Sequence, residues 1–182
     1  MNHRENRRVR LTKQLIRDSL LELLQEKELH RICVRELCEK ADINRSTFYQ
    51  YYDSTYALLA DMEEELLAEV SRSLSSMTQQ SSDYDKLVHL LDFIVSHMTL
   101  CRLLIHSNVD PEFSERLLGL PAILGKLRSD FTGNDPSEDV YLQRFALHGS
   151  YEAIAYWLQS GCLESPEKIA DIIYRACRKL LV

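Results

Sequence analysis

Glycine and proline are scarce in this chain, which holds 5 Gly and 4 Pro among its 182 residues. Both residues interrupt helices, so their scarcity leaves room for long uninterrupted helical segments. The sequence also lacks alternating runs of β-branched residues, which are the pattern of half-buried strands. We therefore predict an all-α protein.

Long apolar segments and paired cysteines are missing as well. No secretory signal precedes the basic N-terminal run, and no uninterrupted apolar stretch reaches 20 residues. The nearest candidate, residues 87–105, contains Asp92, Arg102 and two histidines, so we expect a buried helix of a soluble protein there. The five cysteines include no C-x-x-C pair, a usage typical of reduced thiols. These features predict a cytoplasmic protein that has no membrane partner.

Motifs for catalysis and cofactor binding are lacking too. The sequence has no nucleophile elbow, no glycine-rich phosphate loop and no paired carboxylates in an apolar context. We therefore predict that the protein is not an enzyme and needs no cofactor. His97 and Cys101 have the i, i+4 spacing of metal ligands, but nothing signals a third ligand. Buried core side chains are the favoured interpretation, and no metal site is predicted.

Positive charge is confined to the N-terminal part of an acidic chain whose net charge is −6. Residues 1–52 hold 11 Lys and Arg against 8 Asp and Glu, whereas residues 53–182 hold 11 against 20. The basic residues are densest at the start of the chain, as Arg4, Arg7, Arg8, Arg10, Lys13 and Arg17. This run is either an arm that follows a DNA backbone or a solvated, disordered terminus.

Residues 31–53 have the pattern of a helix-turn-helix. The first helix has one apolar stripe at i, i+3, i+4 and i+7, formed by Val34, Leu37, Cys38 and Ala41. Residues 42–44 break it, and Asn44 is the expected side-chain N-cap of the second helix. Phe48 and Tyr52, four residues apart, share that helix's inward face.

The outward face of the second helix is rich in groups that bind DNA. Arg45 and Arg35 are expected to read base edges, while Tyr49, Tyr51 and Thr55 hold phosphates. A solvated helix pair is the alternative, and two neighbouring outward tyrosines argue against it. The complete predicted DNA-binding set is Arg35, Asn44, Arg45, Ser46, Thr47, Tyr49, Tyr51 and Thr55.

The rest of the chain is predicted as a series of helices. A long helix begins at Ser54, and a Ser/Gln-rich connector lies near Gln79 to Ser82. The other predicted helices are a central one from Tyr84 to His106, a short one from a cap at Asp110 and Pro111 to Leu118, one opened by Pro121, and, after a loop at residues 132–136, two final helices from Ser137 to Ser160 and from Ser165 to Leu181.

The two final helices are predicted to form a homodimer interface. Gly149 and Ala153 lie four residues apart and would let a partner helix approach closely, and a mid-helix glycine suggests a packing reason. Packing inside one subunit is the alternative. The predicted interface consists of Leu142, Phe145, Gly149, Ala153, Tyr156, Ile172, Ile173 and Ala176.

Residues 12–62 resemble the N-terminal domain of the tetracycline-repressor (TetR/AcrR) family of bacterial transcriptional regulators. Three departures are visible: Asp42 replaces a glycine of the turn, Thr55 replaces a phosphate-pairing lysine, and residues 33–34 replace threonines. The motifs that carry the resemblance are Ile16 to Leu24, Cys33-Val34, Ala41-Asp42-Ile43, Ser46-Thr47-Phe48-Tyr49 with Tyr52, and Ser54-Thr55-Tyr56.

The C-terminal tail resembles a subgroup common in Gram-positive members of that family, with Gly149, Trp157, Leu158 and Gly161 matching. The resemblance implies a helix-turn-helix domain at residues 1–53 and, at residues 54–182, a helical domain that dimerises through a four-helix bundle. It also implies a repressor that binds operator DNA and is released by a small molecule. Control by a protein partner of the C-terminal domain is the alternative. The candidate effector pocket comprises Met62, Phe93, His97, Met98, Cys101, Phe113, Tyr151 and Trp157.

Overall fold

The computed structural model describes residues 3–77, 81–106, 112–120 and 136–179, and every regular element in these ranges is helical. The all-α prediction is therefore confirmed. The helices are α1 (His3–Glu26), α2 (Val34–Lys40), α3 (Arg45–Tyr49), α4 (Thr55–Ser76), α5 (Asp83–Ser96), α6 (Met98–His106), α7 (Phe113–Leu118), α8 (Pro136–Gln159) and α9 (Pro166–Lys179), with a 3-10 turn at Leu29–Arg31 between α1 and α2.

The chain divides into two compact units, residues 1–66 and 67–182. The helix α4 begins in the first unit and ends in the second. The domain boundary predicted between residues 53 and 54 coincides with the start of α4, whereas the compact units divide within that helix.

The first unit has an apolar core to which all four of its helices contribute. Its fully buried side chains are Ile16 and Leu20 of α1, Leu37 of α2, Phe48 of α3 and Leu58 of α4. Burial of each such side chain stabilises the fold by about 1.5 to 3 kcal/mol. The predicted stripe of α2 is also found here, since Leu37, Cys38 and Ala41 are buried and Val34 is half-buried.

The basic N-terminal run lies within a helix. Helix α1 begins at His3, so it extends well beyond the segment predicted at residues 16–24. The side chains of Arg7, Arg8 and Arg10 are exposed, while those of Lys13 and Arg17 are half-buried. From His3 onward this run is helical, so it is neither an extended arm nor an irregular terminus.

The turn between α2 and α3 contains a residue in the left-handed region. Asp42 has φ of 51°, and aspartate enters this region more readily than most residues. The Ile43 N–H donates to the Cys38 carbonyl oxygen at 3.0 Å and closes the turn. Asn44 occupies the N-cap with extended backbone, but its side chain accepts no backbone N–H, so the predicted side-chain cap is wrong. Its exposed side chain turns to solvent, and only its carbonyl oxygen receives the Thr47 and Phe48 N–H groups.

Helix α5 begins with a reciprocal cap. Ser82 Oγ accepts the Asp85 N–H at 3.1 Å, and an Asp85 carboxylate oxygen accepts the Ser82 N–H at 3.1 Å. These bonds satisfy N–H groups that would otherwise have no partner at the helix start. Ser82 is therefore the residue at which the predicted connector ends.

The single central helix predicted from Tyr84 to His106 is wrong, because His97 separates α5 from α6. His97 has φ of −114° and ψ of 26°, which lies outside the helical region. Ser96 Oγ donates to the Phe93 carbonyl oxygen at 2.7 Å, and His97 Nδ1 lies 3.0 Å from the same oxygen. Side chains that compete in this way for a backbone acceptor weaken helix continuation.

Within the described ranges, no single helix is long and apolar enough to cross a membrane. Helices α5 and α6 meet the length and composition requirement only as a pair, and they are bent by 96° at their break.

The link between α8 and α9 is a Schellman turn. The Cys162 N–H donates to the Trp157 carbonyl oxygen at 2.9 Å, and the Gly161 N–H donates to that of Leu158 at 3.2 Å. Gly161 has φ of 82°, where glycine carries no side-chain strain. The buried Trp157 ring donates its Nε1–H to the Glu164 carbonyl oxygen at 2.9 Å, which fixes the link onto α8. Helix α8 thus begins and ends within one residue of the predicted bounds, and α9 begins one residue after its predicted start at Ser165.

Several predicted features lie outside the described residues. These are residues 79 and 80 of the connector, the cap at Asp110 and Pro111, the helix opened by Pro121, residues 132–135 of the following loop, and the end of the last helix at Leu181.

Candidate nucleic-acid interface

Helix α3 has one buried face and one exposed face. Phe48 is 0% exposed, and Tyr52, which follows the helix, is 5% exposed. Their rings lie 5.8 Å apart, centroid to centroid. Other side chains of this segment are less buried: Arg45, Ser46 and Tyr49 are exposed, while Thr47 and Tyr51 are half-buried. The exposed surface of α3 therefore includes a guanidinium, a hydroxyl and a phenol, and their contact with DNA stays a prediction.

Arg35 of α2 and Asn44 of the turn are also exposed. The Arg35 guanidinium lies 3.7 Å from the Glu39 carboxylate one turn along α2. Exposed ion pairs of this kind contribute only about 0.2 to 1 kcal/mol, so Arg35 can exchange this partner for DNA.

Thr55 is 5% exposed, which corrects the prediction that its hydroxyl holds a phosphate. It occupies the first position of α4 and faces the core of the first unit. The preceding Ser54 caps the helix instead, because its Oγ accepts the Ala57 N–H at 3.1 Å. Tyr56, which is not in the predicted DNA-binding set, is 56% exposed at the same helix end.

A polar cluster joins α1, α4 and Tyr52, which lies three residues after the end of α3. The Tyr52 hydroxyl donates to Asp61 Oδ2 at 2.9 Å, and an Arg17 guanidinium nitrogen donates to the same oxygen at 2.9 Å. Arg17 also pairs with Glu65 through its other terminal nitrogen. Lys13 Nζ lies 3.8 Å from Asp61 and 5.2 Å from the centroid of the Tyr52 ring. We call these five residues the Tyr52 cluster.

The Tyr52 cluster keeps Asp61 and Arg17 charged and the Tyr52 phenol neutral, as the pKa shifts of these three groups indicate. Burial, together with the hydrogen bond to Asp61, raises the pKa of Tyr52 to about 12. Burial alone would raise the pKa of Asp61, but the hydrogen bonds from Arg17 and Tyr52 lower it below its usual value. For Arg17 the carboxylates of Asp61 and Glu65 outweigh burial and raise the pKa. Tyr52 therefore stays a hydrogen-bond donor and Asp61 stays ionised at neutral pH.

This cluster was not predicted from the sequence. Tyr52 was expected on the inward face and Arg17 within the basic run, and neither was paired with α4. The available signal was Asp61 and Glu65, which are acidic residues one turn apart on a helix that is otherwise packed through leucines.

Helix α8 carries a second surface of interest, an exposed apolar stripe. Tyr141, Phe145 and Tyr156 are 76%, 68% and 74% exposed, and Gly149 is exposed between them. A Cβ added to Gly149 would meet no atom of the described residues within 4 Å. The remaining predicted interface residues differ in exposure to solvent. Ile172 and Ala176 are exposed, Leu142 and Ala153 are half-buried, and Ile173 is buried.

Ile173 is only 5% exposed, which corrects its place in the predicted dimer interface. Its neighbour Ile172 is 44% exposed on the other side of α9. Consecutive residues on a helix point about 100° apart, so one of the two isoleucines fills the core of its own chain.

The predicted effector residues are distributed over both compact units, and the pocket stays a prediction. Met62 belongs to the first compact unit and the other seven to the second. Among those seven, Cys101, Phe113 and Trp157 are buried, Phe93, His97 and Tyr151 are half-buried, and Met98 is exposed. The His97 ring stacks on Phe93 with centroids 4.2 Å apart, and His97 Nε2 lies 3.3 Å from Glu69.

His97 is the non-helical residue between α5 and α6, directly before the helix that contains Cys101. Burial raises the pKa of Cys101 to about 12, which keeps its sulfur in the protonated form that binds metals poorly. In the part of the chain that the structure describes, no three His, Cys, Asp or Glu side chains are grouped as metal ligands.

Two family models match the chain. Residues 16–62 match one described as bacterial regulatory proteins of the tetR family, and residues 82–179 match one described as a transcriptional regulator C-terminal region. An uncharacterized HTH-type transcriptional regulator of Bacillus subtilis, YxbF, is 25% identical over 166 residues. That alignment covers 87% of this chain and 43% of the relative, so the chain spans less than half of the relative's length.

Solved structures share the fold. A TetR transcriptional regulator from Streptococcus agalactiae aligns over 95% of this chain and 97% of its own, with a TM-score of 0.73 and 26% identity. The alignment with the dihydroxyacetone kinase operon activator DhaS covers 93% of this chain and 96% of DhaS, with a TM-score of 0.59 and 21% identity. Thermus thermophilus FadR, a repressor solved in complex with lauroyl-CoA, aligns over 93% of this chain and 95% of its own, with a TM-score of 0.58 and 18% identity. At such identities the last two show the fold alone.

The lowered pKa of Asp61 predicts a pH-dependent contribution to stability. A carboxylate whose pKa falls on folding stabilises the folded state above its unfolded pKa, near 3.8, and loses that contribution as the pH falls through the folded pKa. We expect Asp61→Asn to lower the free energy of unfolding by about 1 kcal/mol at pH 7. Below about pH 4 the difference from wild type should shrink.

Denaturant unfolding at several pH values measures this effect, with Asp92→Asn, on the exposed side of α5, as the control for loss of a charge. A difference between Asp61→Asn and wild type that stays constant down to pH 3 would contradict the stated role of the carboxylate.

Proposed function

The chain belongs to the tetR family of bacterial regulatory proteins, which confirms the resemblance noted in its sequence, and we propose that it is a dimeric repressor released from its operator by an effector. It is a DNA-binding transcriptional regulator. In this proposal residues 1–53 bind the operator DNA, and residues 54–182 dimerise and bind the effector. We expect the protein in the cytoplasm, because the double-stranded DNA that it would bind lies there.

The observation that carries the DNA-reading proposal is the division of α3 into a buried and an exposed face. Arg45 lies exposed at the N-terminal end of α3, the end of a recognition helix that meets base edges in the major groove. Its guanidinium suits a guanine, while the phenol of Tyr49 suits a phosphate oxygen. Arg7, Arg8 and Arg10 on the exposed surface of α1 suit the DNA backbone.

We expect Arg45→Ala to relax sequence preference by about 1 to 3 kcal/mol, because it removes a contact to a base. Tyr49→Phe should weaken binding to all duplexes alike, because it removes a contact to the backbone. The measurement is binding to a duplex selected by the wild-type chain from a randomised pool and to a random duplex of equal length. Equal losses on both duplexes for Arg45→Ala would overturn its assignment as a base reader.

The exposed stripe of α8 supports a homodimer. Tyr141, Phe145 and Tyr156 expose large aromatic surfaces on one side of the helix, and such patches are typical of interfaces. Gly149 lies between them with open space beyond it, where the backbone of a second helix could approach closely. A twofold dimer also presents two copies of α3 to two half-sites.

Gly149→Leu should give a folded monomer. Because no atom of the described residues lies within 4 Å of a Cβ at this position, we expect the subunit to accommodate the new side chain and a closely packed partner helix to clash with it. Light scattering measures the mass, and circular dichroism checks the fold. Thr99→Leu, which adds the same side chain at an exposed site on α6, is the control and should remain dimeric. A dimeric Gly149→Leu would show that the interface lies elsewhere.

Release by an effector is the regulatory part of the proposal. Thermus thermophilus FadR, which shares the fold, was solved in complex with lauroyl-CoA, and this supports a small molecule as the first candidate. DhaS, of the same fold, is described as an operon activator, so activation is the second candidate for the outcome. In either case the effector must bind the DNA-bound and DNA-free conformations with different affinities. An effector with equal affinity for both would not change their populations.

A true effector should change operator affinity by about 5 to 150-fold, and operator DNA should change effector affinity by the same factor. Lauroyl-CoA is the first probe, followed by a panel of other metabolites. Trp157, the only tryptophan, reports binding through its fluorescence. A compound that alters this fluorescence at saturation without changing operator affinity is not the effector. If every compound fails, control by a protein partner becomes the favoured explanation.

A further inference from the structure

Helix α3 is too short to hold its own orientation. It contains five residues, and its N-cap contributes no side-chain hydrogen bond. Isolated helices shorter than about 12 residues are marginal in water, so packing must position this one. Its side-chain anchors in the first unit are therefore as important for DNA reading as the residues that face the DNA.

Two anchors of different character hold α3. Phe48 is fully buried and contributes apolar packing, which is strong but not directional. Tyr52 adds a phenol whose hydroxyl donates to Asp61 Oδ2 at 2.9 Å. Hydrogen bonds depend steeply on distance and angle, so this one restricts how far α3 can turn on the core.

Asp61 is itself held in place. Arg17 of α1 donates to the same carboxylate oxygen at 2.9 Å and also pairs with Glu65, one turn further along α4. The bond from Tyr52 therefore ends on a carboxylate that is fixed by two helices. Hydrogen bonds to charged groups are stronger than those between neutral groups, which suits this cluster to a positioning role.

Building on the proposed DNA reading, we infer that Tyr52, acting through Asp61 and Arg17, is a positioning residue that determines sequence discrimination without touching DNA. Tyr52 is 5% exposed, so it offers no surface to a duplex. Its hydroxyl fixes the angle at which Arg45 meets the bases. Phosphate contacts tolerate small rotations better than base contacts, which must match two atoms at once.

The test is Tyr52→Phe in the full chain, since this change removes the hydroxyl and keeps the packed ring. We expect affinity for the selected duplex to fall about 10-fold, which corresponds to about 1.4 kcal/mol. Affinity for a random duplex should change less than about 2-fold, and the dependence of affinity on salt concentration should keep its slope, since the phosphate contacts remain. Tyr84→Phe is the matched control, because Tyr84 donates to the Glu167 carbonyl oxygen at 3.3 Å in the second unit.

A double-mutant cycle identifies the partner. If the hydroxyl acts through Asp61, the variant carrying both Tyr52→Phe and Asp61→Ala loses no more discrimination than Asp61→Ala alone. Asp61→Asn, whose amide oxygen still accepts from Tyr52, should lose less than Asp61→Ala. Unfolding curves confirm that each variant is folded at the assay temperature.

Three outcomes would overturn the inference. Equal losses on selected and random duplexes would mean that Tyr52 serves stability only. Additive losses in the cycle would mean that its hydroxyl does not act through Asp61. If the wild-type chain shows no preference for any duplex, the proposed DNA reading fails as well, which distinguishes that failure from the other two.

Discussion

The structure of the first unit depends on one constraint, which is that the five-residue helix α3 must be oriented by what it buries. Phe48 and Tyr52 are buried, whereas Arg45, Ser46 and Tyr49 stay exposed. The surface proposed for DNA is thus held by packing inside the first unit. A change that loosened this packing would move every outward side chain together.

Charge distribution adds a second constraint. The chain is acidic as a whole, with a net charge of −6, yet residues 1–52 carry an excess of positive charge. Part of that positive charge is neutralised by ion pairs inside the first unit, where Lys27 pairs with Glu36, Lys40 with Glu22, and Arg17 with Asp61. The proposed DNA surface would use the exposed basic residues that remain on α1 and α3, since a duplex is a polyanion.

Periodicity in the sequence was sufficient to predict the helices but not their interruptions or contacts. The stripes of α2 and of the two final helices follow from spacing alone. The break at His97 could not be predicted in this way, because apolar residues continue on both sides and the competing bonds of Ser96 and His97 are visible only in three dimensions. The same holds for Tyr52 and Arg17, whose common partner Asp61 lies 9 and 44 residues away.

In the proposed function, two α3 helices related by a twofold axis read DNA together. The sharpest test is to let the full chain select duplexes from a randomised pool and to sequence them. We expect an enriched inverted repeat whose half-sites are centred about 10 base pairs apart, or a multiple of that distance. Enrichment of a single unrepeated element, or of no sequence at all, would contradict it.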